Sequence, residues 1–445
     1  MAAVRTAART TRPMARHAAQ LVTHGPRLTA GAVLRHFWQA LGPGVVTGAA
    51  DDDPSGIATY SIAGAQFGTG FLWAALVTWP LMAAVQSMCA RIGMVTGKGL
   101  MGALEEKFRR PVLATACFAL LAANTINIGA DLAGMADAAE LLTRVNSHFW
   151  VVALAALIGW AMVRMRYMVV ANTLKWLALV LFAYVITALK VGPHWGAVLR
   201  ATLVPTLPRG HEALATLVAI LGTTISPYLF FWQAAQEVEE EKALGRHTLV
   251  ARRGATAEEI TRRKVDIGVG TFFSNLAMFY IILTTALTLH RAGVTHLDTS
   301  REVAQALEPL AGHFATLLYT VGLMGLGTLA IPTLAGSAAY AFAEIFGWRE
   351  GIDEHFRGAP AFYAVILLSL AAGVMMDFVN VSAVQALYWT AVINGLLAPF
   401  LLVGIVIAAS DRRLMQGQPS SRLGRAVVGV TTVAMFAAAV ALFVV

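Results

Sequence analysis

The chain has 445 residues, 58% of them hydrophobic and only 13% charged, with a formal net charge of +8. Soluble domains carry about 25% charged residues, so a soluble globular fold is excluded and lipid is the expected solvent. The basic balance does not point to nucleic acid, because no compact basic domain carries it; the arginines fall in short stretches between apolar runs.

Taken in chain order, residues 1–36 form an arginine-rich, acid-free segment, expected to be a cytosolic tail because no apolar core with a cleavage site follows it. Eleven apolar segments follow, at 38–67, 71–95, 112–142, 150–163, 168–189, 212–233, 265–289, 314–346, 360–376, 381–409 and 426–445. Most reach or approach the roughly 20 apolar residues that cross a bilayer. The first and sixth are interrupted. Five spans separate their starts, so residues 37–190 and 211–409 are expected to be two five-helix halves, with 423–445 an additional helix. An odd number of spans per half makes the halves inverted with respect to one another.

With the N-terminus inside, 26 of the 33 Lys and Arg residues fall on the inner side and six on the outer, with Lys175 inside a span. The positive-inside rule then places the N-terminus in the cytoplasm and the C-terminus outside a bacterial inner membrane. The charged stretch 237–264 is expected to be a solvated loop. Cys89 and Cys117 sit inside apolar runs, where ordinary packing accounts for them. All eleven histidines fall in tails, loops or span ends, so no intramembrane zinc site or Ser-His pair supports a membrane-embedded enzyme.

The first interruption reads Gly-Ala-Ala-Asp-Asp-Asp-Pro-Ser-Gly at 48–56, and the sixth reads Gly-Thr-Thr-Ile-Ser-Pro-Tyr at 222–228. Discontinuous helices at matching positions of two halves mark a transporter's binding site; the plainer alternative is a pair of proline kinks. An aspartate at mid-membrane costs about 2.5–3.5 kcal/mol on insertion scales, so Asp51, Asp52 and Asp53 call for a cation, water or protons. Pro54 and Gly56 let the helix unwind and turn carbonyls toward a ligand, and carboxylate with carbonyls makes a hard-cation site. In the sixth span Thr223 and Ser226 lie three apart and offer carbonyls and hydroxyls without charge; these hydroxyls could equally satisfy the local backbone. An amino-acid carrier is disfavoured, since three aspartates would repel a carboxylate substrate.

These residues carry a family resemblance. Gly-Pro-Gly-Val-Val-Thr-Gly at 42–48, Asp53-Pro54-Ser55-Gly56 and Gly-Ala-Gln-Phe-Gly at 64–68 resemble the first span of the NRAMP divalent-metal transporters. Arg-Ile-Gly-Met-Val-Thr-Gly-Lys at 91–98 and Ala-Asp-Leu-Ala at 130–133 are similar to that family's loop after span two and its third span. The resemblance implies an all-α, LeuT-type fold with eleven transmembrane helices, inverted repeats and broken helices 1 and 6. It also implies a divalent cation as cargo, carried by alternating access, with no resident cofactor.

The family's metal-binding aspartate falls on Asp53, with backbone carbonyls expected from near Ala50 and Thr223. Its asparagine ligand falls on Gly56, its methionine on Ser226 and its histidine on Tyr228. The third-span aspartate is kept as Asp131, and the glutamate after it is Gly134. Losing the thioether favours Mg²⁺ and Mn²⁺ over softer metals, and smaller side chains suggest a roomier site for a partly hydrated ion. The pattern is similar to the NRAMP-related magnesium transporters. Losing the histidine and one acid weakens the family's proton route, leaving Asp131, Asp51, Asp52 and Tyr228 as a proton or water pathway. The alternative is a proton-coupled Mn²⁺/Fe²⁺ importer of the ordinary type. Asn394 and Asn275 are further candidates, for which interhelical hydrogen bonding accounts equally well.

Overall fold

The computed structural model describes residues 51–165, 177–352, 354–377 and 382–444. The tail at 1–36, the start of the first span with Ala50, and the start of the fifth lie outside the described residues.

The described chain is helical. In chain order, α1 is Pro54–Phe67, α2 Leu72–Thr96, α3 Arg110–Thr143, α4 Ser147–Arg164 and α5 Phe182–Val191. There follow α6 His211–Thr224, α7 Pro227–Ala243, α8 Ala257–Thr288, α9 Ala315–Phe346, α10 Pro360–Met376, α11 Ala383–Ser410 and α12 Arg422–Val444. Local chemistry sets several boundaries. Proline opens α1, α7 and α10, where a missing N–H costs nothing. Thr256 and Glu259 form a reciprocal capping box at the start of α8. Gly97 and Gly347 end α2 and α9 in the left-handed region, which glycine enters without a Cβ clash.

Eight stretches among the described residues are long and apolar enough to cross a membrane. One of them, Pro54–Thr96, contains the later part of the expected first span and all of the second. Two shorter apolar helices, Leu179–Val191 and α10, lie at the expected fifth and ninth positions. Length and composition therefore count eight among the described residues, with two expected spans joined in Pro54–Thr96 and two shorter apolar helices beside them. Large apolar side chains such as Phe118, Trp160, Leu368, Phe400 and Val433 point outward, as a lipid-facing surface requires. Burial grades the helices. The most apolar window of His211–Ala243 is 89% buried and that of Arg422–Val444 only 33%, so the broken α6–α7 pair runs through the core and α12 lies outside it.

α3 forms a long central strut packed on α9, α10 and α11, while α8 packs on both α1 and α2. α6 and α11 cross with backbones almost in contact. A β-carbon on Gly222 would overlap the carbonyl oxygen of Ala391 and the backbone of Gly395, and one on Gly395 would overlap the carbonyl of Val218. Glycine is required at this crossing for approach, not for flexibility.

The charged stretch 237–264 is the expected solvated loop only in part: its middle is mostly exposed, but its ends are helical and partly buried. α7 runs on to Ala243 and α8 begins at Ala257, and some of the acids these helices carry are turned inward. Glu237, Glu241 and Asp266 are buried. Arg263 reaches Glu237 and Asp266, each at 2.8 Å, and also Glu240. Arg246 bridges Glu241 and Glu259 at 2.8 Å each. Gln233 donates to Glu237 at 2.7 Å. Buried carboxylates survive here because each has a fixed cation or donor beside it.

Candidate metal centre between the two breaks

The chain leaves helical geometry at Asp52 and Asp53, and re-enters it at Pro54. Asp53 is the N-cap of α1, with φ −71° and ψ 170°. Its Oδ1 accepts the Gly56 N–H at 2.7 Å and the Ser55 hydroxyl at 2.6 Å. Unpaired N–H groups and the positive end of the helix dipole favour a carboxylate there. The other oxygen, Oδ2, faces two donors on other helices. Nδ2 of Asn127 on α3 and the hydroxyl of Tyr228 on α7 each lie 3.3 Å away.

The second break spans Ile225, with φ −118° and ψ 58°, and Ser226, with φ −76° and ψ 133°. Pro227 then opens α7, so the last turn of α6 has lost the N–H groups that would continue it. Ser226 partly replaces them: its hydroxyl lies 2.6 Å from the Thr223 carbonyl and 2.9 Å from that of Gly222. The reading in which this hydroxyl satisfies the local backbone therefore describes its hydrogen, while its lone pairs remain for a ligand.

The two breaks meet. A β-carbon on Gly56 would sit 3.2 Å from Thr223 Oγ1, 3.4 Å from the Tyr60 ring and 3.6 Å from the Asp51 carbonyl oxygen. The space freed by glycine at 56 is thus occupied by Thr223 and Tyr60, and the expectation of extra room at that position does not hold. Asp53, Thr223, Ser226 and Tyr228 are all closed off from solvent.

Asp51 and Asp52 share a partner. Ser274 on α8 lies with its hydroxyl 2.7 Å from Asp51 Oδ2 and 3.1 Å from Asp52 Oδ1. A hydroxyl has one hydrogen to give, so both contacts are hydrogen bonds only when one carboxyl carries a proton. Both aspartates are buried. Asp131, on α3, is fully buried, and neither of its carboxylate oxygens meets a hydrogen-bond partner. Gly134, where the family's second acid would stand, is pressed by α11: a β-carbon there would lie 2.8 Å from Leu387 Cδ1.

Of the two asparagine candidates, Asn275 belongs to a different contact. Its Oδ1 accepts from Thr78 of α2 at 2.7 Å and its Nδ2 donates to the Thr271 carbonyl at 2.9 Å, which is the interhelical hydrogen bond of the plainer reading. Its neighbour Ser274 is the residue that reaches the aspartates. Asn394 is buried with Oδ1 unpartnered, directly before the Gly395 crossing on α6.

Charge decides what this arrangement can do. Asp51, Asp52, Asp53 and Asp131 are buried, and no Lys, Arg or His is among the described buried polar residues. Among the described residues no group of three His, Cys, Asp or Glu side chains is placed to hold a metal. A cation here would rest on single carboxylates with carbonyl, hydroxyl and amide oxygens, a hard donor set.

The family model described as natural resistance-associated macrophage protein-like, or Nramp, matches residues 44–445. The chain belongs to the Nramp family. Relatives include the divalent metal cation transporter MntH of Aeromonas hydrophila, 24% identical over 405 residues and covering 88% of this chain and 92% of that protein. The MntH of Deinococcus radiodurans is 26% identical over 330 residues, covering 71% of this chain and 70% of that one. Among solved structures, the Eremococcus coleocola manganese transporter superposes with a TM-score of 0.72 at 16% identity, over 91% of this chain and 86% of that one. Mhp1, a nucleobase-cation-symport-1 family transporter, reaches 0.54 at 14% identity, over 91% of both chains. These likenesses establish the LeuT-type fold of this Nramp chain, and it is a multi-pass membrane protein.

Two residues that contact the buried aspartates were not picked out from sequence, Asn127 and Ser274. For Asn127 a signal existed: Asn124, Asn127 and Asp131 are spaced by three and four along an otherwise apolar helix, placing three polar groups on one face. Ser274 carried none beyond its place beside Asn275.

Proposed function

We propose that this Nramp chain carries hard divalent cations, Mg²⁺ and/or Mn²⁺, across a bacterial inner membrane by alternating access, with weak proton coupling or none. The observation that supports this most is Asp53: a carboxylate fixed at a helix start, beside a second helix break, with no buried base among the described residues to neutralise it. Several kcal/mol are lost in burying an unpaired carboxylate, and a cation on Asp53 Oδ2 offsets that loss. Carbonyls near Thr223 and Ala50, with the oxygens of Ser226, complete the cage. No sulfur donor stands at 226, so softer metals have no preferred ligand there.

On this reading residues 37–190 and 211–409 are the inverted halves, and the end of α7 that Arg263 of α8 holds is cytoplasmic. Spans one and six rock against spans three, four, eight and nine. Tyr228 cannot take a proton as a histidine does near neutral pH, and Gly134 has no acid, which supports weak coupling.

A second reading is a proton-coupled Mn²⁺/Fe²⁺ importer. It is favoured by Asp131, a bare buried carboxyl one helical turn from Asn127, and by relatives named as divalent metal and manganese transporters. Uptake into proteoliposomes of Mg²⁺, Mn²⁺, Ca²⁺ and Cd²⁺, with internal pH recorded, separates the two. Mg²⁺ and Mn²⁺ entry without acidification supports the first. Mn²⁺ and Cd²⁺ entry with acidification, and no Mg²⁺, overturns it in favour of the second.

A further inference from the structure

We propose that Asn127 is a ligand of the transported cation, its amide oxygen supplying from α3 the donor that position 56 no longer carries; this rests on the reading of Asp53 as the cation's carboxylate.

Asp53 divides its work between its two oxygens. Oδ1 is consumed by the cap, bonded to Ser55 and Gly56. Oδ2 is the oxygen left for cargo, and it is the one that Asn127 approaches, at 3.3 Å. That bond is long for an N–H to a carboxylate, since such charge-assisted bonds are usually about 2.7–2.9 Å, so it is weak and easily exchanged. The other end of the same amide, Oδ1, is buried and has no hydrogen-bond partner. Turning the amide over by half a rotation about its last torsion brings Oδ1 to the side of Asp53 Oδ2 and breaks only that one long contact. Without a cation the amide nitrogen faces the carboxylate; with a cation on Oδ2 the oxygen does.

Asn124 provides the internal comparison. It lies on the same face of α3, but its Nδ2 is bound to both the Leu334 carbonyl and the Ser337 hydroxyl, each at 2.9 Å. Rotating it would break two good bonds to α9. Asn124 is a fastener between helices, and Asn127 is free to turn. Position 56 cannot compete for the role, because Thr223 and Tyr60 already occupy the direction its side chain would take. The fixed strut α3 would then contribute a ligand alongside α1, so the cation itself joins the two, and its departure lets them separate.

The experiment uses the full-length protein with Asn127→Ala, Asn127→Asp and Asn127→Met, and Asp53→Asn as reference. Mn²⁺ binding is measured by titration calorimetry in detergent, and Mn²⁺, Mg²⁺ and Cd²⁺ uptake in proteoliposomes. Removing the amide oxygen in Asn127→Ala is expected to weaken Mn²⁺ binding by about tenfold or more, as loss of metal-site partners does. Asn127→Asp, nearly isosteric, is expected to tighten it. Asn127→Met places a thioether beside Asp53 and is expected to raise the Cd²⁺-to-Mn²⁺ uptake ratio; a merely structural residue would change all ions alike. Unchanged Mn²⁺ affinity in Asn127→Asp together with an unchanged ion ratio in Asn127→Met overturns the proposal, whether or not Asn127→Ala folds. If those variants are silent while Asp53→Asn abolishes binding, only the role of Asn127 fails. If Asp53→Asn itself binds normally, the reading of the site fails with it.

Discussion

Asp53→Asn separates two roles that Asp53→Ala removes together. As an N-cap, asparagine is about as good as aspartate, whereas alanine costs about 0.5–2 kcal/mol. The bonds to Gly56 N–H and to Ser55, both on Oδ1, can be kept by an amide oxygen. The change in folding stability is therefore expected to stay below about 1 kcal/mol. Cation binding has no such substitute. Removing one partner of a buried charge pair costs about 3–5 kcal/mol, which corresponds to roughly 150- to 5,000-fold in dissociation constant. Mn²⁺ titration with a parallel thermal melt reads both quantities. The expected result is a near-wild-type melt with binding lost from the measurable range, and for Asp53→Ala abolished transport with normal expression. Asp53→Asn binding within tenfold of wild type would refute the assignment of Oδ2 as the cation's carboxylate oxygen.

Three further outcomes are expected. Ser226→Met should raise Cd²⁺ uptake relative to Mn²⁺, since a thioether replaces a hydroxyl; an unchanged ratio would place position 226 outside the cage. Arg263→Ala should destabilise the protein by about 3–5 kcal/mol by leaving Glu237 and Asp266 buried without their cation, read as a lowered midpoint in thermal unfolding, with Arg263→Lys intermediate. Asp411, just beyond α11, is held down to about 2 by its bond to Lys107 and by the N–H groups of Leu414 and Arg413. A carboxyl held below its ordinary value adds stability above that value and loses it as pH falls toward about 2. Asp411→Asn should therefore lower the melting temperature at pH 7, and the gap to wild type should narrow as the pH falls below 4; a gap independent of pH would show that the Lys107 pair contributes nothing.

What the sequence made legible was whatever is local. Asp53, Pro54 and Ser226-Pro227 announce broken helices because proline and aspartate are costly inside a lipid-facing helix, and that cost can be read one residue at a time. Thr223 followed from its position at the break, and Tyr228 from the family resemblance. The same method missed the contacts of Asn127 and Ser274 with the aspartates, because these depend on which helix lies opposite, and spacing along one helix fixes a face but not its neighbour. It also misjudged Gly56, inferring room from a missing side chain when two neighbours had filled it. The charged run after Gln233 misled for a related reason: acids are read as solvated until the arginine that buries them, Arg263 on the next helix, is located.

The glycine crossing of α6 and α11 gives the second break a mechanical character. With Gly222 seated against Ala391 and Gly395, α6 cannot swing without carrying α11 along. At the far end of α7, Arg263 ties that helix to α8 instead. The two residues between, Ile225 and Ser226, are thus a coupling between levers with separate anchors. A change of angle between the levers has to be absorbed there, so on the proposed reading of the site the cation would sit beside the same few peptide bonds that flex.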